Sequence, residues 1–436
     1  MVSPPMHPVE AKLHHFYVPN RILWDGWEDF ITGGSDGNNA DTPPTIEVPV
    51  NNDGETLLMD ALGIPTEKST GAEVNALPIR AYNKIFNEYY RDQDIQPVIP
   101  EDNTWIMTAA WEKDYFSSAR PFAQKGNDIT VPIYGNAAVI SDGTEPHFIN
   151  PAGTDSYITG GVDQQVRISS VGDDLALKFN GTQTGLQADM TAVSGLDIND
   201  MRRAFAEQRY MEARARYGSR YVEYLRYLGI NPSDARLQRP EYLGGGKQTL
   251  SFSEVLKTGS GEDPTIPIGD MAGHGIAALR SNRYRKYFEE HGFVISLLTI
   301  RPRAIYMDGL HKKWSRKTKE DYFQKELELI GQQQILNKEI YFDGTAADET
   351  TFGYADRYRE YREEPSHISG NFRNINKTWH FGRSFDTRPA LNETFVKCTP
   401  SILPFADQVN APFLFMANHS IQARRMVSRN PVARII

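Results

Sequence analysis

Apolar positions in this chain come in short bursts, and the period of each burst predicts an element. Lys12–Val18 reads as a short strand that Pro19-Asn20 ends. Ile22, Leu23, Trp24, Trp27, Phe30 and Ile31 then predict one short helix, capped by Asn20 and stopped by Gly33-Gly34. A second short helix is expected near Leu57–Leu62. Pro78 opens a clearer one, with Ile79, Tyr82, Ile85, Phe86, Tyr89 and Tyr90 at three- and four-residue steps. Ile129–Tyr134 looks like a strand, and its Pro132 argues for a sheet edge.

The segment 135–195 differs in character, with nine glycines, seven acidic residues and only two basic ones, Arg167 and Lys178. Leu175, Leu177 and Phe179 alternate and then meet Asn180-Gly181, a hairpin signal. This predicts a folded, exposed insertion of strands and turns, with a flexible loop as the alternative reading. A long helical pattern follows over 197–228, capped by Asp197 or Asn199, broken near Gly218-Ser219 and closed by Gly229 and Pro232. Its seven Arg and five acidic residues suit solvated, salt-bridged outer faces. From Gly292 the run Gly-Phe-Val-Ile-Ser-Leu-Leu-Thr-Ile-Arg predicts a strand covered on both faces. Asp-Gly pairs at 25, 36, 53, 142, 308 and 343 scatter turns throughout, and no fixed-period repeat is present. The pattern alone gives a mixed chain of short β segments, embedded helices and long loops.

Length and composition widen this picture only a little. At 436 residues and 39% apolar content, the chain can bury a sizeable core. Tyr and Phe (21 each) far outnumber Trp (6), which suits interfaces as well as cores. The net charge of −9 argues against a protein that coats nucleic acid over its whole surface, so any such contact must be local. A single cysteine, Cys398, excludes an internal disulfide framework and a Cys-based metal cage. No apolar run approaches the roughly 18–20 residues that span a bilayer, and the Met-Val-Ser-Pro-Pro start lacks a secretory layout, so a soluble protein is expected.

Catalytic signatures fail in turn. Gly244-Gly245-Gly246-Lys247 invites a phosphate-loop reading, but Glu241 and Gln248 stand where Gly and Ser/Thr are needed, leaving a flexible turn as the expectation. His14 and His15 would point to opposite faces of a strand, and His274, His291 and His311 are isolated. There is no Gly-x-Ser-x-Gly elbow, and nothing local activates Cys398. No enzyme, cofactor or metal is expected.

Basic residues gather in two places. Residues 279–317 hold ten of them, including Arg283, Arg285 and Lys286, against three acidic ones, interleaved with Tyr284, Tyr287, Phe288, Tyr306 and Trp314. Cations along a phosphate backbone, with rings on which bases stack, are the recipe for single-strand binding. The tail from Gln408 adds Arg424, Arg425, Arg429 and Arg434 with no acidic residue. The competing reading pairs these charges with acidic faces of neighbouring chains. The strand through 279–317 slightly favours that reading there, and the two are evenly balanced for the tail.

Five separated stretches carry a family resemblance. They are Phe-Tyr-Val-Pro-Asn-Arg-Ile-Leu-Trp-Asp-Gly-Trp-Glu-Asp-Phe-Ile-Thr-Gly-Gly (16–34), Asp-Ala-Arg-Leu-Gln-Arg-Pro-Glu-Tyr-Leu-Gly-Gly-Gly (234–246), Glu-His-Gly-Phe-Val-Ile (290–295), Leu-Asn-Lys-Glu-Ile-Tyr (336–341), and Phe-Gly-Tyr with Arg-Tyr-x-Glu-Tyr-Arg (352–362). In this order they resemble the major capsid proteins of the Microviridae, especially the gokushovirus-like branch. The resemblance implies a mainly β fold, an eight-stranded antiparallel viral jelly roll over 1–436 whose long inter-strand insertions contain several helices. It also implies an icosahedral shell of the simplest kind around circular single-stranded DNA, in a virion assembled in the cytoplasm of a bacterial host. Family members carry a longer leader before the first stretch than the fifteen residues here, so an early strand would precede residue 1 or be built otherwise.

By the same resemblance, 135–195 is a threefold-axis protrusion facing the host, with Tyr157, Arg167, Lys178 and Phe179 as candidate contacts and a surface receptor, a glycan among the options, as partner. Further partners implied are copies of the chain itself, a small basic DNA-binding virion protein, a minor pilot protein and an internal scaffolding protein. The alternative from another class is a carbohydrate-binding, lectin-like jelly roll.

Overall fold

A computed structural model describes residues 1–50, 57–131, 137–141, 148–149, 155–156, 176–177, 186–189, 197–258, 268–269, 271–409 and 411–426. By internal packing the chain divides into two compact units, one of 1–123 with 216–436 and one of 124–215.

In the first unit, β1 (Val9–Pro19) is the middle strand of a three-stranded antiparallel sheet, between β2 (Glu241–Thr249) and β3 (Gly292–Pro302). Two runs that read separately as strands in the sequence thus pair with each other. Val9 stands opposite Pro302 and Pro19 opposite Gly292, with no break in register. Both faces of β1 are used. Phe16 and Val18 join one apolar cluster with Leu77, Ala81, Ile85, Phe86 and Tyr90, while Val9 and Ala11 join another with Leu250 and Phe381. The predicted double cover of β3 holds only in part. Ile295 is buried and Leu298 and Ile300 are partly covered, whereas Val294 and Ser296 are exposed. The physical reason is that one cluster packs on Phe293, Ile295 and Leu297, while on the other face the cluster around Val9 and Phe381 reaches only Leu298 and Ile300.

The triple glycine is not a turn; it lies within β2. His15 pairs with Gly244 and Phe16 with Tyr242, so Leu243 is an extra bulged residue and Gly244 takes a φ of +127° that a side chain would resist. A Cβ on Gly245 would overlap the Leu13 carbonyl, and one on Gly246 would press on the Arg280–Ser281 backbone. Bare backbone there lets the segment before β3 lie against the sheet, where Asn282 N donates to Gly245 O at 3.0 Å.

The Pro78 helix is present as α1 (Leu77–Ile85), widened into a π turn over Phe86–Tyr90. Instead of one apolar face it buries two. Ile79 and Tyr82 pack with Val48, Leu58 and Met59, and Leu77, Ala81 and Ile85 pack under the sheet. The larger aliphatic side chains among them, Leu58, Met59, Leu77, Ile79 and Ile85, each contribute about 1.5–3 kcal/mol on full burial. The expected Asn20-capped helix is split into a 3-10 turn, Asn20–Ile22, and a helix, Trp27–Thr32, that ends at Gly33 with φ +87°. No strand forms over 129–131, and the rest of that predicted strand lies outside the described residues.

A further cluster gathers Tyr115, Phe116, Tyr306, Ile335, Ile340, Phe352 and Phe395 around the strand pair β4 (Gln332–Leu336) and β5 (Thr351–Asp356). The apolar interior is therefore several clusters joined by long loops. Every named strand pair is antiparallel, and no sheet among the described residues exceeds three strands.

In the second unit, Ala138–Ser141 pairs with Leu186–Asp189, and Phe148–Ile149 pairs with Asp155–Ser156 and Ala176–Leu177. The hairpin turn expected at Asn180-Gly181 lies outside the described residues. The long helical pattern is α2 (Ile198–Tyr217), which stops at Gly218, φ +103°; α3 (Tyr221–Tyr227) follows.

Candidate assembly and nucleic-acid interface

Most groups with chemical potential are engaged in holding the fold. The depression lined by Asn337, Thr351, Phe352, Arg388 and Leu391, of about 250 Å³, has its one cation bound at 2.7 Å to each of Asp343 and Asp348. A second, of about 180 Å³, contains Glu393, which is paired with Lys397 at 2.8 Å. Glu339 is buried; it accepts from Tyr115 Oη at 2.9 Å and Leu336 N at 3.0 Å, and burial raises its pKa. Burial pushes the Cys398 thiol up to about 12, far from a reactive thiolate. His14 and His15 do face opposite ways, His14 Nδ1 meeting Tyr90 Oη and His15 Nδ1 meeting Ser296 Oγ, each at 2.7 Å. Burial lowers the pKa of both.

The structure splits the basic stretch 279–317 in two. Before β3, residues 277–290 form no helix or strand. Arg280, Arg283 and Arg285 have no carboxylate partner among the described residues, and Arg283 and Arg285 are exposed. Lys286 departs from that pattern, paired with Glu241 at 2.7 Å. Aromatic rings alternate between anchoring and exposure: Tyr284 lies against His15, Phe288 against Tyr17, and Tyr287 is 80% exposed. From β3 onward most cations are engaged. Arg301 donates to Ala110 O at 2.6 Å, Lys313 pairs with Glu364 at 2.8 Å, and Arg316 lies over the Tyr361 ring and 3.9 Å from Glu360. The first half therefore presents Arg283 and Arg285 beside the exposed Tyr287 ring, and in the second half Arg303 and Lys317 also have no carboxylate partner among the described residues.

The tail has two parts. Its root is pinned: Phe405 packs on Phe381 and Phe413, and Val2 N donates to Pro404 O at 2.9 Å. Beyond it, residues 411–426 form neither helix nor strand, and Val409, Leu414, Met416 and Met426 are more than nine-tenths exposed. Arg424 and Arg425 are exposed on this arm, near its described end. Arg429 and Arg434, and the insertion candidates Tyr157, Arg167, Lys178 and Phe179, lie outside the described residues.

Sequence reasoning missed Arg383. Its buried guanidinium donates to Phe395 O at 2.7 Å and Tyr306 Oη at 3.3 Å, and the Tyr306 hydroxyl donates to Asp114 at 2.8 Å. The rings of Trp111, Tyr306, Phe385 and Phe395 surround it at 4.2–5.4 Å. Trp111, Asp114 and Tyr306 come from two distant stretches, so no local pattern could have marked it.

Comparison with known proteins adds a consistent set of matches. Residues 1–427 match the family described as Capsid protein (F protein). The chain is similar to Capsid protein VP1 of Bdellovibrio phage phiMH2K, 37% identical over 92% of this chain and 80% of the relative. It is also similar to Capsid protein VP1 of Chlamydia phage 1, at 32% over 92% and 82%, and of Spiroplasma virus 4, at 30% over 91% and 79%.

Proposed function

This chain belongs to the Capsid protein (F protein) family of the Microviridae, a structural protein and not an enzyme, and from that premise we propose that it builds a small icosahedral shell enclosing circular single-stranded DNA. The observation that carries the reading is the family match along nearly the whole chain. The eight-stranded jelly roll belongs to the same proposal, with β1, β2 and β3 as part of one of its sheets. Closed symmetry lets one sequence make every contact of such a shell.

DNA meets the interior through the free cations Arg283 and Arg285 with Tyr287, and through the arm's Arg424, Arg425, Arg429 and Arg434, while Lys286 is partly neutralised by Glu241. The 135–195 insertion faces outward and attaches to a host surface receptor, a glycan being one chemistry it would take. The small basic DNA-binding protein, the pilot protein and the internal scaffolding protein act with it in the virion and during assembly in the bacterial cytoplasm.

Negative-stain electron microscopy of the purified chain, with a nuclease-protection assay on the same fractions, tests the shell. Uniform closed particles with protected single-stranded DNA are expected, and a stable monomer under all assembly conditions would reject it. Replacing Arg424, Arg425 and Arg429 together by Gln should lower the protected DNA per particle. Unchanged packaging and particle stability would remove the tail from the genome-facing surface.

A further inference from the structure

The first unit carries two unsatisfied halves of one β-sheet interaction. One is the outer edge of β3. This strand pairs with β1 over its full eleven residues, and no other strand among the described residues pairs with it. Val294 and Ser296 lie exposed along it. A long open edge is a standing template for another chain's backbone, and soluble proteins usually shorten, charge or cover such edges. Between Gly292 and Ile300 this one has no charged residue and no proline.

The other half is the C-terminal arm. Phe413 to Ala423 matches β3 in length and contains no Pro, no Gly and no acidic residue. Its backbone forms no ladder, and its apolar side chains Leu414, Phe415, Met416 and Ile421 stand in solvent. The root at Phe405 and Phe413 is packed, so the arm leaves the body from a fixed point. An anchored, strand-competent, apolar segment left uncovered by its own chain has to find its cover elsewhere.

We infer that in the assembled shell the arm of one copy adds as a strand to the β3 edge of a neighbouring copy, so that each chain both gives and receives a strand. This rests on the capsid reading, which supplies the second copy. Main-chain hydrogen bonds would hold the arm, and alternate side chains would drop onto the Val294 and Ser296 face, the general mode of strand addition. Such a contact is isologous if two copies exchange arms across a twofold axis, and heterologous if each arm passes to the next copy around a closed ring. The Arg424-Arg425 end would follow the strand and be fixed by it, so genome contact would depend on the docked arm.

Cross-linking in co-assembled particles tests this cleanly, because the chain's one natural cysteine is buried. A Val294→Cys chain is co-assembled separately with Leu414→Cys, Met416→Cys and Ile421→Cys chains, then mildly oxidised and run on a non-reducing gel. At least one pairing should convert monomer to covalent dimer in the particle fraction, and either variant assembled alone should not. Intact particles with no dimer in any pairing would overturn the arm-to-edge contact and leave the capsid reading standing. So would a Val294→Cys/Met416→Cys double variant that closes only within one chain. Failure of the unmodified chain to form particles would instead sink the capsid reading itself. As a second measurement, truncation after Phe413, which keeps the packed root, should lower particle yield while the monomer keeps its thermal midpoint, and full yield would also overturn the inference.

Discussion

The cage around Arg383 and the arm beyond Phe405 draw on similar residue types, large apolar side chains with a few arginines, and end in opposite states. In the cage, every polar group of the Arg383–Tyr306–Asp114 chain has a partner, and four rings enclose the cation. In the arm, leucine and methionine side chains are fully exposed and Arg424 and Arg425 have no carboxylate partner among the described residues. The difference is one of sequence separation. The cage is assembled from Trp111, Tyr306, Arg383 and Phe395, which only a folded chain brings together. Beyond the last packed phenylalanine the arm's apolar side chains stay in solvent, although His419 comes near enough to His15 to help burial lower its pKa. A region complete within the chain supports stability, and a region left incomplete is available for association.

The comparison breaks first in the interior. Phe116, buried among Tyr115, Tyr306 and Phe352, should cost about 3–5 kcal/mol when replaced by Ala, because the cavity cannot collapse among rigid rings. A urea denaturation midpoint measures this, and a wild-type midpoint would mean that the cluster is not the stabilising centre.

Glu339 sharpens the contrast with a smaller, pH-dependent effect. Its folded pKa lies above the ordinary 4.5 because burial penalises the charge. The folded chain therefore holds a proton that the unfolded chain releases above about that pH. Stability is highest below it and falls as pH rises through the folded pKa. Glu339→Gln should flatten that fall in thermal midpoint against pH, and parallel curves for the two chains would exclude Glu339 as its source.

The smallest effect on the chain is expected in the arm. Leu414→Ser with Met416→Ser should leave monomer stability within about 0.5 kcal/mol, since neither side chain is covered. Particle yield should fall nonetheless. Equal loss in both measurements would erase the distinction between the two regions.

Much of the local structure was legible without coordinates. The β1 and β3 runs, the Pro78 helix and the α2 break at Gly218 each follow from a period or a stop signal that acts within a few residues. Where local reading failed, a distant partner decided. Gly244–Gly246 looks like a turn by composition, yet it is a strand because β1 and the Arg280–Ser281 backbone need room for close approach. The basic stretch reads as one patch by charge count, yet partners engage Arg301, Lys313 and Arg316 in its second half and Lys286 in its first, and leave Arg283 and Arg285 without a carboxylate among the described residues.

The sequence by itself determined the family, the short-element character and the basic arm, because family motifs, residue periods and charge are properties of neighbours along the chain. Only the tertiary structure decided which cations are neutralised, which glycines admit a crossing backbone, and that β3 keeps an open edge while the arm keeps its apolar side chains in water. Those outcomes depend on segments hundreds of residues apart competing for the same surfaces, and no pattern confined to one segment records which of them wins.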